Sequence, residues 1–501
     1  MRHLWILLVA ATPAAARAAD PAHLATAIDA RLSSGWQKAN VKPAAAVDDA
    51  TFLRRATLDL VGRIPTPAEV RAFLADTSAD KRAKLVARLI DSGGHARHMA
   101  TFWRRTWVPQ ADTPEFARLA DDFEAWVAAR LQQNAPYDRT VGELLTFSPP
   151  VGKRDAVSPV GFFAASEDKP ENLAANATRS FLGVNLDCAQ CHDHPFAKWT
   201  RDQFWQTAAF FAPPRMDGGK AVPPELTIPN TKKSLAPALL NGPDVKWPDA
   251  LASDTGRRLF TKWATAKENP YFARNAVNRL WAHFYGAALV EPLDALSGSG
   301  EPEGPHEELL KELADAFAES DFDLKYITRA LVLAKSYQLS VVTDGTPPDA
   351  RLFARMPVRG LTGEQLYDSL RTAAGLPPER SDTGRGLGLD ARKRFAAQFR
   401  TERPVEAERS VTQALSMMNG RLTADLSDPA KNPTLGGVTG APFLDTAGKV
   451  ETLFLAVLGR KPTAKESATM TDYVGKATDA DRALGDVFWA LVNTTEFNTN
   501  H

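Results

Sequence analysis

Apolar residues recur at helical spacing along most of the chain, and this repeat constrains the fold more than any other feature. Positions three or four apart place apolar side chains on one face of a helix. Two clear examples are Leu309, Leu310, Leu313 and Phe317, and Leu324, Ile327, Ala330, Leu331 and Ala334. Alternating runs typical of strands are scarce. The sequence therefore predicts a mainly α fold.

Helix starts are marked by capping residues at two places. Thr66 is followed by Pro67 and, three positions on, by Glu69, and Thr200 is followed in the same way by Gln203. A threonine and a glutamate or glutamine at this spacing satisfy each other's free backbone N–H groups. We predict one helix from Pro67 to about Ala75 and another that begins after Thr200.

A short turn sequence occurs twice. Residues 62–66 read Gly-Arg-Ile-Pro-Thr, and residues 459–463 read Gly-Arg-Lys-Pro-Thr. Each follows an apolar run and precedes a capping glutamate. The echo indicates either a duplicated helix-turn-helix unit or repeated use of the same turn chemistry.

Prolines cluster between Pro213 and Pro248, where helical periodicity fades. Proline interrupts helices and favours extended backbone. We therefore predict two helical domains, 19–212 and 256–501, joined by a proline-rich linker at 213–255. A second weak stretch, from about Gly375 to Pro404, is rich in glycine, proline and arginine and is expected to form a surface insertion.

The first 18 residues resemble a secretory signal peptide. Arg2 and His3 precede an apolar run from Leu4 to Ala11, and Ala16-Arg17-Ala18 fits a cleavage site. No later apolar stretch approaches the about 20 residues of a spanning helix. We expect an exported, periplasmic protein with no transmembrane anchor after signal removal. Lysine and arginine total 60, as do aspartate and glutamate, so net charge gives no reason to expect nucleic acid as a partner.

The only two cysteines lie in Cys188-Ala189-Gln190-Cys191-His192. Cys-x-x-Cys-His is the attachment pattern of c-type haem. Two thiols at this spacing reach the two vinyl groups of the porphyrin, and the adjacent histidine supplies an axial nitrogen to iron. The sequence predicts one covalent haem c on Cys188, Cys191 and His192.

Two other uses of these residues remain open. Cys188, Cys191, His192 and His194 can gather around zinc or non-haem iron, although adjacent residues are hard to aim at one ion. Cys188 and Cys191 can also form a disulfide, either redox-active or a small structural staple. No βαβ pattern that would favour a thioredoxin-like protein surrounds them.

The spacing does not identify a sixth ligand for haem iron. His194 is close in sequence to His192, and Met216 is the nearest methionine downstream. Distant candidates are His95, His98, His283 and His306. An open sixth position is the remaining option, and it suits the binding of a small molecule, whereas six-coordinate iron suits electron transfer.

Several sequence blocks resemble a pair of bacterial domains. Residues 52–62, 65–69 and 181–196 are similar to the cytochrome-c-like domain of unknown function abundant in planctomycetes and verrucomicrobia. Residues 269–274, 277–286, 322–325 and 336–340 resemble its companion, the planctomycete-specific domain. The polar and aromatic positions of interest in or beside these blocks are Arg179, His192, His194, Trp199, Asn278, Arg279, Trp281, His283 and His306.

The resemblance implies an exported two-domain protein with a haem-binding motif, whose redox partner is unknown. We expect electron transfer or a haem-dependent redox step. The alternatives are a non-haem metalloenzyme and a helical interaction protein with a disulfide. A helix through Asn278–His283 raises a further hypothesis, in which Arg279 pairs with a haem propionate and His283 contacts the iron. Its alternative is a core helix whose arginine and histidine bind local carbonyls.

Overall fold

The computed structural model describes residues 20–112, 117–148, 157–296, 304–378, 391–399 and 410–501. The predicted signal peptide and most of the predicted insertion at 375–404 lie outside these ranges. The described chain is mainly α, as the sequence predicts. None of its helices combines the length and apolar character needed to cross a membrane.

The helices of the first half precede the proline-rich segment. They are α1 (Pro21–Lys38), α2 (Asp49–Val61), α3 (Pro67–Ala75), α4 (Lys81–Ile90), α5 (Gly93–Trp107), α6 (Ala117–Gln132), α7 (Tyr137–Thr146), α8 (Val160–Ala165), α9 (Pro170–Ala177) and α10 (Arg201–Ala209). Tight 3₁₀ turns lie at Pro109–Asp112 and Asp187–Gln190, and a wider π-helical turn lies at Thr178–Leu182.

The second half is also helical. Its helices are α11 (Thr255–Ala264), α12 (Phe272–Tyr285), α13 (Glu307–Glu319), α14 (Leu324–Leu333), α15 (Gly363–Ala373), α16 (Ala391–Gln398), α17 (Val411–Asn419), α18 (Arg421–Leu426), α19 (Pro433–Thr439), α20 (Thr446–Val457), α21 (Ala464–Lys476), α22 (Ala480–Val492) and α23 (Thr495–Asn498). Short 3₁₀ turns lie at Lys335–Gln338 and Ala350–Leu352.

The strands of the described chain form three antiparallel pairs, β1 with β2, β3 with β4 and β5 with β6. They are β1 (Arg215–Asp217), β2 (Lys220–Val222), β3 (Leu226–Thr227), β4 (Ser234–Leu235), β5 (Arg359–Gly360) and β6 (Thr499–Asn500). Four of the six strands lie in the proline-rich segment.

The predicted helix starts are confirmed. Thr66 caps α3 and exchanges hydrogen bonds with Glu69 in both directions, and Thr200 does the same with Gln203 at α10. These caps depend on residues three apart, so local sequence is enough to set them.

The two turn sequences share one geometry. Gly62 and Gly459 end α2 and α20 with φ of 78° and 71°, a left-handed conformation that favours glycine. Arg63 and Arg460 then bind the glutamates that cap α3 and α21, at 2.8 and 2.9 Å. The units also touch, because a Cβ on Gly459 would lie 3.3 Å from the Pro65 ring. The two sequences therefore form turns of the same geometry, and the two turns lie close together.

Two hydrophobic cores organise the described part of the chain. The larger one joins residues from α1 to α14 across the proline-rich segment, where Phe210 packs on Phe260 and Ile228 is buried. The smaller core joins α15 with α17 to α23 and includes Leu58 and Ile64 from the N-terminal unit. Packing thus continues across 213–255, and the domain limits themselves stay a prediction.

A buried carboxylate connects distant parts of the chain. Asp59 on α2 is 2% exposed and accepts hydrogen bonds from Arg359 at 2.8 and 3.0 Å, Tyr337 at 2.7 Å and Asn500 at 2.7 Å. The donors come from β5, from the turn at Lys335–Gln338 and from β6. A buried charge that keeps all its partners is tolerated, whereas one that loses them is costly.

We expect Asp59→Ala to destabilise the protein by about 3–5 kcal/mol, because Arg359 would keep a buried charge without its carboxylate. Urea unfolding followed by circular dichroism measures the loss. Asp315→Ala is the matched control, since Asp315 forms an exposed pair with Lys311 and should cost at most about 1 kcal/mol. Equal losses in the two variants would contradict a central role for Asp59.

Limited proteolysis tests the proline-rich segment. We expect the first cuts between Pro213 and Pro248, because much of this stretch is exposed and carries only two-residue and three-residue strands. Mass spectrometry of the fragments locates the cuts. First cuts within α2 or α12 would place the weakest part of the fold elsewhere.

Candidate functional site

The Cys-x-x-Cys-His residues form a surface loop. Cys188 lies in the tight turn Asp187–Gln190, which precedes α10. Cys188, Cys191 and His192 are all exposed, and both cysteines are free thiols. The loop therefore presents two sulfur atoms and one imidazole to solvent.

Helix α10 holds the base of this loop. The Gln190 carbonyl accepts hydrogen bonds from the Trp205 indole at 3.1 Å and from Arg201 Nε at 3.3 Å. Ala189 is fully buried between the exposed cysteines. The backbone between the two thiols is thus anchored while the thiols themselves stay accessible.

The two histidines of the loop have opposite ring states. His192 Nδ1 lies 2.8 Å from the Asp193 carbonyl oxygen, which can only accept, so Nδ1 carries the proton. The lone pair of His192 is then on Nε2. His194 Nδ1 instead accepts from the backbone N–H groups of Phe196 and Ala197, at 3.2 and 2.9 Å, which places the proton of the neutral ring on Nε2. Of these two histidines, only His192 has a free Nε2 lone pair for a metal.

Aromatic residues near the loop divide into two groups. Phe204, Trp205, Phe210 and Phe211 are buried in the larger core, which is the default expectation for such side chains. Phe196 is 96% exposed, and Trp199 beneath the loop is buried. An almost fully exposed phenylalanine beside two free thiols is an apolar surface that the core does not use.

Helix α12 supports the segment that leads into the loop. Asn275 donates to the Ser180 carbonyl at 2.8 Å, and Arg279 donates to the Arg179 carbonyl at 3.0 Å. Arg179 in turn pairs with Asp187, the residue before Cys188, at 2.9 Å. A continuous set of polar contacts therefore runs from α12 to the motif.

Backbone pairing adds a second support. Asn185 N donates to the Asp294 carbonyl at 2.8 Å, and Leu296 N donates to the Gly183 carbonyl at 2.9 Å. Gly183 has φ of 66°, and a Cβ there would lie 2.9 Å from Asn275 Oδ1. Glycine is required at this position on both counts.

The distant candidates for a sixth ligand lie in other surroundings. Burial, opposed by Asp59, lowers the pKa of His283 to about 4, and its Nε2 faces the Asp59 carbonyl at 3.5 Å. His95 Nδ1 lies 2.8 Å from the Leu60 carbonyl, and His306 Nε2 lies 2.6 Å from the Arg351 carbonyl. Burial also lowers the pKa of His98 well below its usual value. Met216 is exposed on β1.

These positions clarify what the sequence left open about α12. Arg279 binds a backbone carbonyl beside the motif, and His283 faces a carbonyl on α2. Both contacts agree with the alternative of a core helix whose arginine and histidine bind carbonyls. Asn278 likewise holds the backbone at Leu289 and Val290. Sequence reasoning missed Asn275 and Arg201. The four-residue spacing of Asn275 and Arg279 on one helix face was the available signal for the first.

No cluster of three or more histidine, cysteine, aspartate or glutamate side chains within the described residues is arranged to hold a metal ion. Cys188, Cys191, His192 and His194 therefore do not converge on one point. This arrangement does not favour the non-haem metal alternative, which needs several protein ligands around one ion.

Together these features define a mainly α protein with an exposed Cys-x-x-Cys-His loop supported by a second helical segment. Residues 27–215 match the family model PSCyt2, described as protein of unknown function (DUF1549), and residues 256–388 match PSD1, protein of unknown function (DUF1553). The chain thus carries these two domains, in the order predicted by the resemblance. No curated protein and no solved structure matches the chain.

The support from α12 can be tested with two asparagines of that helix. We expect Asn275→Ala to speed hydrogen exchange of the backbone amides at 183–191 by about tenfold, because the Ser180 carbonyl loses its buried donor, a loss of about 1–3 kcal/mol. Exchange followed by mass spectrometry gives the rates.

Asn278→Ala is the matched control for this measurement. Asn278 is equally buried on the same helix but binds Leu289 and Val290, so its loss should speed exchange near 289–290 and leave 183–191 unchanged. The same pattern of exchange in both variants would show that α12 does not support the motif specifically.

Proposed function

We propose that this protein carries one covalent haem c on Cys188, Cys191 and His192 and transfers electrons in an exported pathway. The observation that carries the proposal is the exposure of the two cysteines together with the ring state of His192. Two free, exposed thiols stand three residues apart beside a histidine whose Nε2 lone pair is free. This donor set fits a c-type haem, in which two thioethers hold the porphyrin and one imidazole binds the iron.

The chain's own residues have distinct tasks in this proposal. Cys188 and Cys191 hold the porphyrin. The backbone carbonyl of Asp193 orients His192 by accepting a hydrogen bond from its Nδ1–H group. Such a second hydrogen bond fixes the ring and strengthens the imidazole as a ligand. Bound haem c supplies an iron that accepts and releases one electron.

The surroundings of the loop suit the rest of the cofactor. Phe196 offers an exposed apolar surface, which suits the porphyrin ring. Lys198 and Arg201 border the loop and offer positive charge to the two propionates. His194 is not a ligand in this proposal. Its Nδ1 accepts hydrogen bonds from two backbone N–H groups, so the proton of the neutral ring is on Nε2.

Export is part of the proposal. The N-terminal segment 1–18 has the pattern of a signal peptide, and c-type haem attachment is completed outside the cytoplasm. A periplasmic location also suits transfer of electrons to or from a second exported protein, whose identity the sequence does not give.

Expression in a host with c-type maturation machinery tests the proposal. We expect the purified protein to show a Soret band that survives denaturation and organic extraction, because thioethers are covalent. Cys188→Ser plus Cys191→Ser should abolish that band. Helical circular dichroism should persist, since both side chains are exposed and substitution there should cost no more than about 0.5 kcal/mol.

A histidine pair provides the matched control. His192→Asn should change the haem spectrum and reduction potential, whereas His194→Asn should leave both unchanged, because asparagine can still accept the N–H groups of Phe196 and Ala197. A colourless wild-type protein, or a metal found without porphyrin, would reject haem binding. A disulfide detected between Cys188 and Cys191 in the exported protein would favour the staple instead.

A further inference from the structure

A cleft of about 590 Å³ lies apart from the motif loop, between α5, α6, α15 and α16. None of the residues of the Cys-x-x-Cys-His loop lines it. Its volume falls within the range of small-molecule sites in proteins, which is roughly 300–1,000 Å³. The proposed haem function gives this cleft no role.

The lining of the cleft is strongly charged, and positive charge is in excess. Its cations are Arg63, Arg97, Arg371, Arg392 and Lys393, and its carboxylates are Asp121, Glu124 and Asp368. All three carboxylates are engaged by cations.

The partners of the carboxylates are well defined. Asp368 binds Arg392 through contacts of 2.7 to 3.0 Å. Glu124 binds Arg104 at 3.2 Å, and Asp121 pairs with Lys393. Each carboxylate of the cleft is therefore already paired with a cation of the protein.

Two arginines of the cleft form no direct ion pair with a described carboxylate. Arg63 is neutralised by Glu69, but within the described ranges neither Arg97 nor Arg371 forms an ion pair. Arg97 is exposed into the cleft, and Arg371 is held by the Pro377 carbonyl at 2.8 and 3.3 Å and by the face of Tyr367. The nearby carboxylate of Asp368 binds Arg392, so the guanidinium of Arg371 remains available to an anion.

His98 adds a neutral group to the same cleft. Its Nε2 is inaccessible to solvent and has no hydrogen-bond partner, which is uncommon for a polar atom in a folded protein. It lies one residue from Arg97 on α5.

We propose that this cleft binds a small organic molecule that carries a phosphate or sulfate group, with Arg97 and Arg371 as its anion contacts. The forked donors of arginine match the oxygen atoms of both groups. An organic body fits as well, because a bare oxyanion fills only part of the volume and Val61, Ala128 and Leu376 offer apolar contacts.

Isothermal titration calorimetry on the full chain tests this with four probes: inorganic phosphate, glucose 6-phosphate, glucose 6-sulfate and glucose. We expect glucose 6-phosphate or glucose 6-sulfate to bind more tightly than inorganic phosphate, and glucose not to bind. The comparison of the two esters shows which oxyanion is preferred. No binding of any anionic probe at about 10 mM, or equal binding of glucose, would overturn the proposal.

Three variants locate the binding. Arg97→Gln and Arg371→Gln should each weaken the binding of the preferred ester by about tenfold, which corresponds to about 1.4 kcal/mol for a charge-assisted contact. Arg371→Lys keeps the positive charge and should recover part of the affinity that Arg371→Gln loses. Arg258→Gln is the control, since Arg258 is exposed and does not line the cleft. Unchanged affinity in both glutamine variants would place the anion elsewhere.

Discussion

One buried carboxylate links the most distant parts of this chain. Asp59 takes hydrogen bonds from residues about 280 to 440 positions away, and each donor belongs to a different element. Because an unpaired buried charge costs several kcal/mol, these elements are held in place together. Helix α2 contributes to both hydrophobic cores, so Asp59 stands where the two cores meet. The larger core then positions α12, and α12 supports the segment that leads into the motif loop.

Much of the fold could be predicted from sequence because its signals are local. The capping pairs at Thr66 and Thr200 act over three residues, and the repeated Gly-Arg-x-Pro-Thr turn acts within one unit. What local signals could not give is the pairing of β5 with β6, since Arg359 meets Asn500 across the sequence. Continuous packing across the proline-rich segment was equally hidden, because proline density reports backbone conformation and not tertiary contact.

The candidate site shows the same division. The spacing of Cys188, Cys191 and His192 is visible in the sequence, and so is the presence of His194. The opposite ring states of the two histidines are not, because they depend on which backbone group each Nδ1 meets. The contact of Arg279 with the Arg179 carbonyl was equally out of reach, although the sequence analysis named Arg279 as a hypothetical partner of a haem propionate.

The pairing of Gly183 to Asn185 with Asp294 to Leu296 has an evolutionary consequence. The first family match ends before residue 216 and the second begins at residue 256, yet Asn275 of the second reaches Ser180 of the first. If the gene were split between the two matched regions, each product would expose residues that are buried in the common hydrophobic core. The two domains are therefore expected to be inherited as one unit, and recombination that exchanged one without the other would have to rebuild their common boundary.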